Sequence, residues 1–271
     1  MFERIEWKAD RALLGDLVFR LEHYKNDSWE LSDRCFVFYK IKELIDQYER
    51  AFARRPGWKP RHMLELGMWD GGSLAFWFEL LQPEKLVGVD LAKRDDSAYF
   101  REHVAGRDLG NRIRTYWNSS QADRPVLDRI VNEDFGGHLD LVIDDASHLY
   151  LYTKTSFETL FPRMPEGSLY IIEDWAWGHW KPFQAPDHPW ANEMPLTRLI
   201  FDLVEATGTS IRLINSLEVY EGFTIIERGP MAAEELKDFR LEDHISRKPE
   251  PVVAPRHRSV LRAVMKKIAS R

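Results

Sequence analysis

The sequence predicts an α/β protein: a doubly wound, mostly parallel, seven-stranded Rossmann-like sheet with an N-terminal helical cap. Three observations predict it. From Met63 onward, short apolar runs alternate with segments of helical periodicity. Acidic or glycine residues end the runs, where such sheets place ligands. Two late apolar runs lie too close together for a helical crossover, so they form an antiparallel pair at one edge.

Taken in order, LLGDLVFRLEHY (13–24) and FVFYKIKELIDQYERAF (36–52) carry apolar residues at helical spacing, which predicts two cap helices. Pro56, Gly57 and Pro60 then break the chain. The first strand is Met63 to Leu66, followed by a helix from Ser73 to Leu81. Lys85 to Val89, Arg112 to Trp117, Leu139 to Ile143 and Leu169 to Ile172 are the next four strands, with a helix from Leu151 to Phe161 before the last of them. Ile211 to Ile214 and Val219 to Ile226 are the late pair. Parallel strands joined by right-handed helical crossovers satisfy this order. Between the fifth strand and a helix starting near Leu196 lies WAWGHWKPFQAPDHPWANEMPL, holding four of the ten tryptophans and reading as a lid. KPEPVVAP near Lys248 to Pro255 reads as an extended linker. The division expected is 1–60 cap, 61–247 main domain, and 248–271 linker and tail.

Bulk properties exclude several classes. No apolar run approaches the ~20 residues that span a bilayer, and MFERIEWKADR lacks the apolar core of a secretory signal. Cys35 is the only cysteine, so no intrachain disulfide forms, and a cytoplasmic location is expected. The net charge is −6, but Arg256, Arg258, Arg262, Lys266, Lys267 and Arg271 hold six of the 38 bases. The remainder carries 32 bases against 44 acids. An acidic body argues against a nucleic-acid partner, because phosphates need a basic face.

LELGMWDGGSL is the strongest local signal. Gly67, Gly71 and Gly72 turn the chain from strand to helix, and the helix N-terminus beginning at Ser73 favours a carboxylate. Glu65 leaves the strand just before them. Asp90 ends the next strand roughly twenty residues on, placed to accept ribose hydroxyls. Such a site suits S-adenosylmethionine, with its amino-acid end at the helix and its ribose at Asp90. The loop does not read Gly-x-Gly-x-x-Gly, which disfavours NAD. Asn118, after the third strand, is placed for the adenine, and Asp144, ending the fourth, is grouped with the donor residues.

DLVIDDASH and SLYIIEDW form the second signal. Asp145 and His148 follow strand four; Glu173 and Asp174 follow strand five, its neighbour. Converging carboxylates repel without a cation. An oxygen-rich set suits Mg²⁺ (or Mn²⁺), and His148 can remove a proton from a hydroxyl.

LELGMWDGGSLAFW, LVGVDL and DLVIDDASHLYLYTKTSFETLFPRMPEGSLYIIEDWAWGHW together resemble the metal-dependent sugar O-methyltransferases of macrolide biosynthesis, and their relatives described as cephalosporin hydroxylases and rhamnosyl O-methyltransferases. The resemblance covers roughly Met63 to Trp180, with Ala146 where the family usually has glycine. It implies that Asp145, Glu173 and Asp174 hold the metal and that His148 is the catalytic base, with Asp145 beside it. The implied reaction is methyl transfer to a sugar hydroxyl. Rival readings are a phenolic or catechol-like acceptor, a non-catalytic glycan-binding protein, and an iron oxygenase, which usually wants two histidines. In the lid, Trp175, Trp177, Trp180 and Trp190 fit stacking on sugar faces. RHRSVLRAVMKKIASR sets Val260, Leu261, Val264, Met265 and Ile268 on one basic-flanked face, suited to peripheral membrane contact. A sugar-containing acceptor is the expected partner, and the sequence leaves room for a homo-oligomer.

Overall fold

A computed structural model describes residues 1–21 and 34–247. The linker and basic tail expected over 248–271 lie outside the described residues, as does the end of the first expected helix.

The N-terminus differs from expectation. Instead of the first cap helix, β1 (Ile5–Trp7), β2 (Arg11–Leu14) and β3 (Leu17–Leu21) form an antiparallel meander, and β4 (Phe36–Phe38) joins it parallel to β3. The reason is local. Leu14 pairs with Leu17 across a two-residue loop, Gly15-Asp16, with Gly15 at φ +62°. A glycine-first dipeptide between apolar runs is a tight hairpin turn, and it overrides the helical spacing around it. The second cap helix is real but shorter. α1 (Lys42–Ala53) starts only after β4 and buries Ile45, Tyr48 and Ala51 on one face.

The main sheet follows the expected alternation. In chain order come β5 (His62–Leu66), α2 (Gly72–Leu81), β6 (Lys85–Val89), α3 (Ala98–Gly106), β7 (Ile113–Tyr116), α4 (Arg124–Glu133), β8 (Leu141–Asp144), α5 (Tyr150–Leu160), β9 (Leu169–Glu173), α6 (Thr197–Thr209), β10 (Ile214–Val219) and β11 (Phe223–Arg228). The strand order is β10-β11-β9-β8-β5-β6-β7, with β11 antiparallel to β9 and β10. The late pair is therefore shifted toward the C-terminus. Ile211 is a turn residue, 87% exposed, and the hairpin turns after Val219 rather than before it. β10 is a half-exposed edge strand, so its polar Asn215, Ser216 and Glu218 concealed it.

Both sheet faces are covered, as parallel strands require. Met63, Leu141, Ile143, Leu169 and Ile171 face one core with Phe19, Phe36, Phe38, Phe76 and Trp77. Their neighbours Leu64, Val142, Tyr170 and Ile172 face the other, with Leu127, Ile130, Phe157 and Leu203. The chain order reverses direction at β5, which has β6 on one side and β8 on the other. That switch point is where open α/β sheets bind ligands. No helix among the described residues is long and apolar enough to cross a membrane.

Candidate active site

The donor side grows from the end of β5. Glu65 is fully buried, and neither carboxylate oxygen makes a well-formed hydrogen bond, although the Ser73 hydroxyl lies near enough to favour its charged form. Burial pushes its pKa up to about 8; Lys40 opposes that rise and Asp145 adds to it. Gly67 follows at φ +83°, and a Cβ there would lie 2.1 Å from the Asp145 carbonyl oxygen. Gly71, at φ +84°, lies against the Phe100 ring, and a Cβ on Gly72 would lie 1.8 Å from the Val37 carbonyl of β4. The glycines thus let this loop close on the β8 loop, α3 and β4, rather than only on a ligand. No side chain caps α2, whose first turn holds Ser73, so its N-terminus is available to an anion.

Asp90 binds its own surroundings first. Its Oδ2 accepts from the amides of Met68 (3.1 Å) and Trp69 (2.8 Å), and its Oδ1 from that of Ala92 (2.8 Å). These bonds hold the β5 and β6 loops together and leave lone pairs on both oxygens. Asn118, at φ +51°, is tied to the same loop by its backbone N–H, which donates to the Ala92 carbonyl at 3.0 Å.

Asp144 departs from its expected donor role. Its Oδ1 accepts from Gln121 Nε2 (2.9 Å), and its Oδ2 from Ser156 Oγ (2.6 Å) and Tyr170 OH (2.7 Å). Burial raises it to about 6, against the lowering effect of those two hydroxyls. Successive strand residues point to opposite faces, and Asp144 points toward α5. It braces the loop: Gln121 also accepts the Ser147 amide at 2.8 Å.

Asp145 belongs to the other side. Asp145, His148 and Asp174 offer ligand atoms within 4.8 Å of one another, with His148 Nε2 4.0 Å from Asp145 Oδ1. His148 (φ +56°) and Asp174 (φ +51°) are both in the left-handed region, a sparsely populated conformation common at functional sites. Ala146 is not among the positive-φ residues, so the alanine is accommodated without strain. Burial raises Asp174; His148 opposes that shift and Glu173 adds to it.

Glu173 is not in this group. Its carboxylate turns into the protein, where both oxygens accept from Lys40 Nζ at 2.8 Å and Oε1 also accepts from Tyr48 OH at 2.6 Å. Lys40 Nζ donates in addition to Asp145 Oδ2 at 2.7 Å. Burial alone would lower the Lys40 ammonium, but the charges of Asp145, Glu173 and Glu65 raise it instead. Lys40 and Tyr48 were missed in the sequence, and so was Gln121. Nothing local marks Lys40, because its partners lie 105 and 133 residues away.

The lid closes over His148. Trp177 Nε1 donates to the His148 carbonyl at 2.7 Å, and Leu149 bridges Pro195. Trp177 packs edge-on against Trp190, whose ring centroid lies 6.4 Å from that of His148. Trp175 Nε1 is bound to the Tyr220 carbonyl at 2.9 Å, whereas Trp180 is 39% exposed. Outside the lid, Trp69 and Tyr39 form an exposed edge-to-face pair beside the donor loop.

Residues 64–175 match the family described as Methyltransferase domain. The chain is 30% identical over 227 residues to mycinamicin VI 2''-O-methyltransferase of Micromonospora griseorubida, covering 76% of this chain and 53% of the relative. It is 28% identical over 227 residues to demethylmacrocin O-methyltransferase of Streptomyces fradiae, covering 76% and 54%. The chain thus spans about half the length of these curated relatives. A solved methyltransferase of the mycinamycin pathway, in complex with Mg, SAH and mycinamycin VI, superposes with a TM-score of 0.52 at 30% identity, covering 68% of this chain and 49% of that one. The architecture is therefore the Rossmann-like methyltransferase fold. Residues 64–175 match the methyltransferase-domain family, and the chain is similar to the mycinamicin, macrocin and rhamnosyl tetracenomycin O-methyltransferases.

Proposed function

We propose that this protein transfers a methyl group from S-adenosylmethionine to a hydroxyl of a sugar, on a glycosylated natural product or glycan. The observation that carries this reading is the convergence, at the carboxyl ends of β5, β8 and β9, of the buried Glu65 carboxylate with the Asp145–His148–Asp174 group. A buried carboxylate without a well-formed hydrogen bond calls for a partner, and the donor's α-ammonium is a chemical complement. The lone pairs left on Asp90 suit ribose hydroxyls. The relatives' substrates support a sugar acceptor.

The residues also fit Mg²⁺ or Mn²⁺. Asp145 and Asp174 are two carboxylates facing one position, and Mg²⁺ usually takes one or two with waters and substrate oxygens. Such an ion, held by Asp145 and Asp174, would supply Lewis-acid chemistry toward a substrate hydroxyl. His148 is placed to accept the hydroxyl proton at Nε2, the ring nitrogen on the Asp145 side. Trp177 and Trp190 exclude water above it, and the exposed Trp180, Trp69 and Tyr39 offer flat faces to sugar C–H groups.

Calorimetric titration with S-adenosylmethionine and S-adenosylhomocysteine, with and without Mg²⁺ and against NAD, tests the donor. Binding of the first two alone is expected; a folded protein that binds neither overturns the reading. Labelled methyl transfer to glycosides then tests the acceptor. Replacing His148 by Ala lowers turnover roughly 10²–10⁴-fold, the range for general-base loss, with donor affinity unchanged. A parallel loss of donor affinity would count against the base role.

A further inference from the structure

Lys40 places its ammonium between two carboxylates at the edge of the candidate site. It is 4% exposed, it follows β4, and its ammonium bridges Asp145 Oδ2 (2.7 Å) and both oxygens of Glu173 (2.8 Å each). Lysine is almost never so buried unless paired. Here all three of its donors are used by two carboxylates, and Tyr48 OH takes up the remaining capacity of Glu173 Oε1. Only Oδ1 of Asp145 is left facing His148 Nε2, at 4.0 Å.

We propose that Lys40 is a built-in cation of the site, a positioning residue that withdraws Glu173 from metal coordination and leaves Asp145 a single oxygen to offer. A divalent ion then meets two carboxylates, Asp145 and Asp174, instead of three. The assignment departs from the ligand set implied by the resemblance, in which Glu173 is a ligand. Its placement has a structural cause. Gly72 lets the Val37 carbonyl approach the first turn of α2, which seats β4 on that helix, and Lys40, two residues past β4, reaches Asp145 and Glu173. The N-terminal sheet thereby supplies a charged group to a site built otherwise from the main sheet.

The consequence is a restrained affinity for divalent ions. Lys40 lends positive charge to the same carboxylates that an incoming ion must use, and like charges at close range repel. Removing it frees one oxygen of Asp145 and leaves Glu173 held by Tyr48 alone.

The test is Mn²⁺ binding to the full chain without donor or acceptor, read by the electron paramagnetic resonance of free Mn²⁺. This inference rests on the proposed metal site, and four proteins separate the two. Lys40→Met is expected to bind Mn²⁺ about tenfold more tightly than wild type, the scale on which partners of metal ligands act. Lys40→Met combined with Glu173→Gln is expected to lose that gain. Glu173→Gln alone is expected to stay within about threefold of wild type, and it keeps the inference testable if Lys40→Met does not fold. Unchanged or weaker binding in folded Lys40→Met overturns the role of Lys40. A loss of tenfold or more in Glu173→Gln makes Glu173 a ligand and overturns it too. If wild type binds no Mn²⁺ but Lys40→Met does, the lysine stands in for the ion and the proposed metal requirement falls alone. If neither binds, both fall. Asp174→Ala is the control that abolishes binding wherever binding is seen.

Discussion

Glu65 carries its two oxygens into the interior without a well-formed hydrogen bond, and its folded-state pKa of about 8 lies above the ordinary 4.5. The folded state therefore holds a proton that the unfolded chain releases as pH rises through 4.5. Stability from this group is fullest below the unfolded pKa and falls as pH climbs toward 8. Asp144 shifts in the same direction, to about 6, but it is shared by wild type and a Glu65 variant and cancels in the comparison. Glu65→Gln should thus gain on wild type steadily between pH 5 and pH 8, by at least about 2 °C in Tm at the upper end. Thermal melts of the free protein at several pH values check this; parallel curves for the two proteins would sink it. The same substitution should weaken S-adenosylmethionine binding. At this scale much of the candidate site was legible. Glu65, Asp90, Asp145, His148 and Asp174 stand out as acids or a histidine at or just past strand ends, although Asp144 and Glu173 show that such an acid can also be structural. Lys40 and the true partners of Asp144 were not legible. A lysine in FVFYKIKEL looks like any solvated base, and only the folded chain brings it to Asp145 and Glu173.

At the scale of elements, the glycine turn shows how one signal can have two causes. Gly67, Gly71 and Gly72 marked a turn into a helix end that favours a carboxylate, but each is also required by protein atoms packed against it. Gly72 is the sharpest case, since the 1.8 Å approach is to a backbone carbonyl that no side-chain rotation can relieve. Gly72→Ala should force α2 and β4 apart and cost about 1–3 kcal/mol. Gly110→Ala, where nothing lies within 4 Å, should leave stability within about 0.5 kcal/mol. Urea denaturation of the two variants checks this, and equal midpoints would show that β4 yields freely. The elements themselves were legible where periodicity was sustained, as in β6, predicted and found over Lys85–Val89. They were misread where a turn residue decided the outcome. Gly15-Asp16 converts an apparently helical stretch into a hairpin, and the polar face of β10 hid an edge strand.

For the molecule as a whole, the expected boundary near residue 60 separates segments that share one core. Phe19, Phe36 and Phe38 of the N-terminal sheet and Tyr48 of α1 lie in the same cluster as Met63, Phe76, Trp77 and Ile143 of the main domain. Phe19 meets Phe76 edge-on at 5.4 Å, and Tyr48 meets Trp77 at 4.8 Å. The Lys40 ion pairs cross the same boundary. A four-stranded sheet with such short strands has little apolar surface of its own to bury, so its stability comes from docking. We therefore expect the N-terminal unit and the main sheet to melt together as one cooperative unit. The buried Trp77, at their junction, reports tertiary packing, and far-ultraviolet dichroism reports the helices of the whole chain. In wild type the two signals should follow one curve in urea. In a Trp77→Phe control the change in the fluorescence signal identifies the junction's share. An earlier transition seen by Trp77, with the helical signal retained, would mean that the N-terminal sheet undocks first. Lys40 would then leave Asp145 and Glu173 while the main sheet is still folded, and Mn²⁺ affinity should rise over the same range of urea.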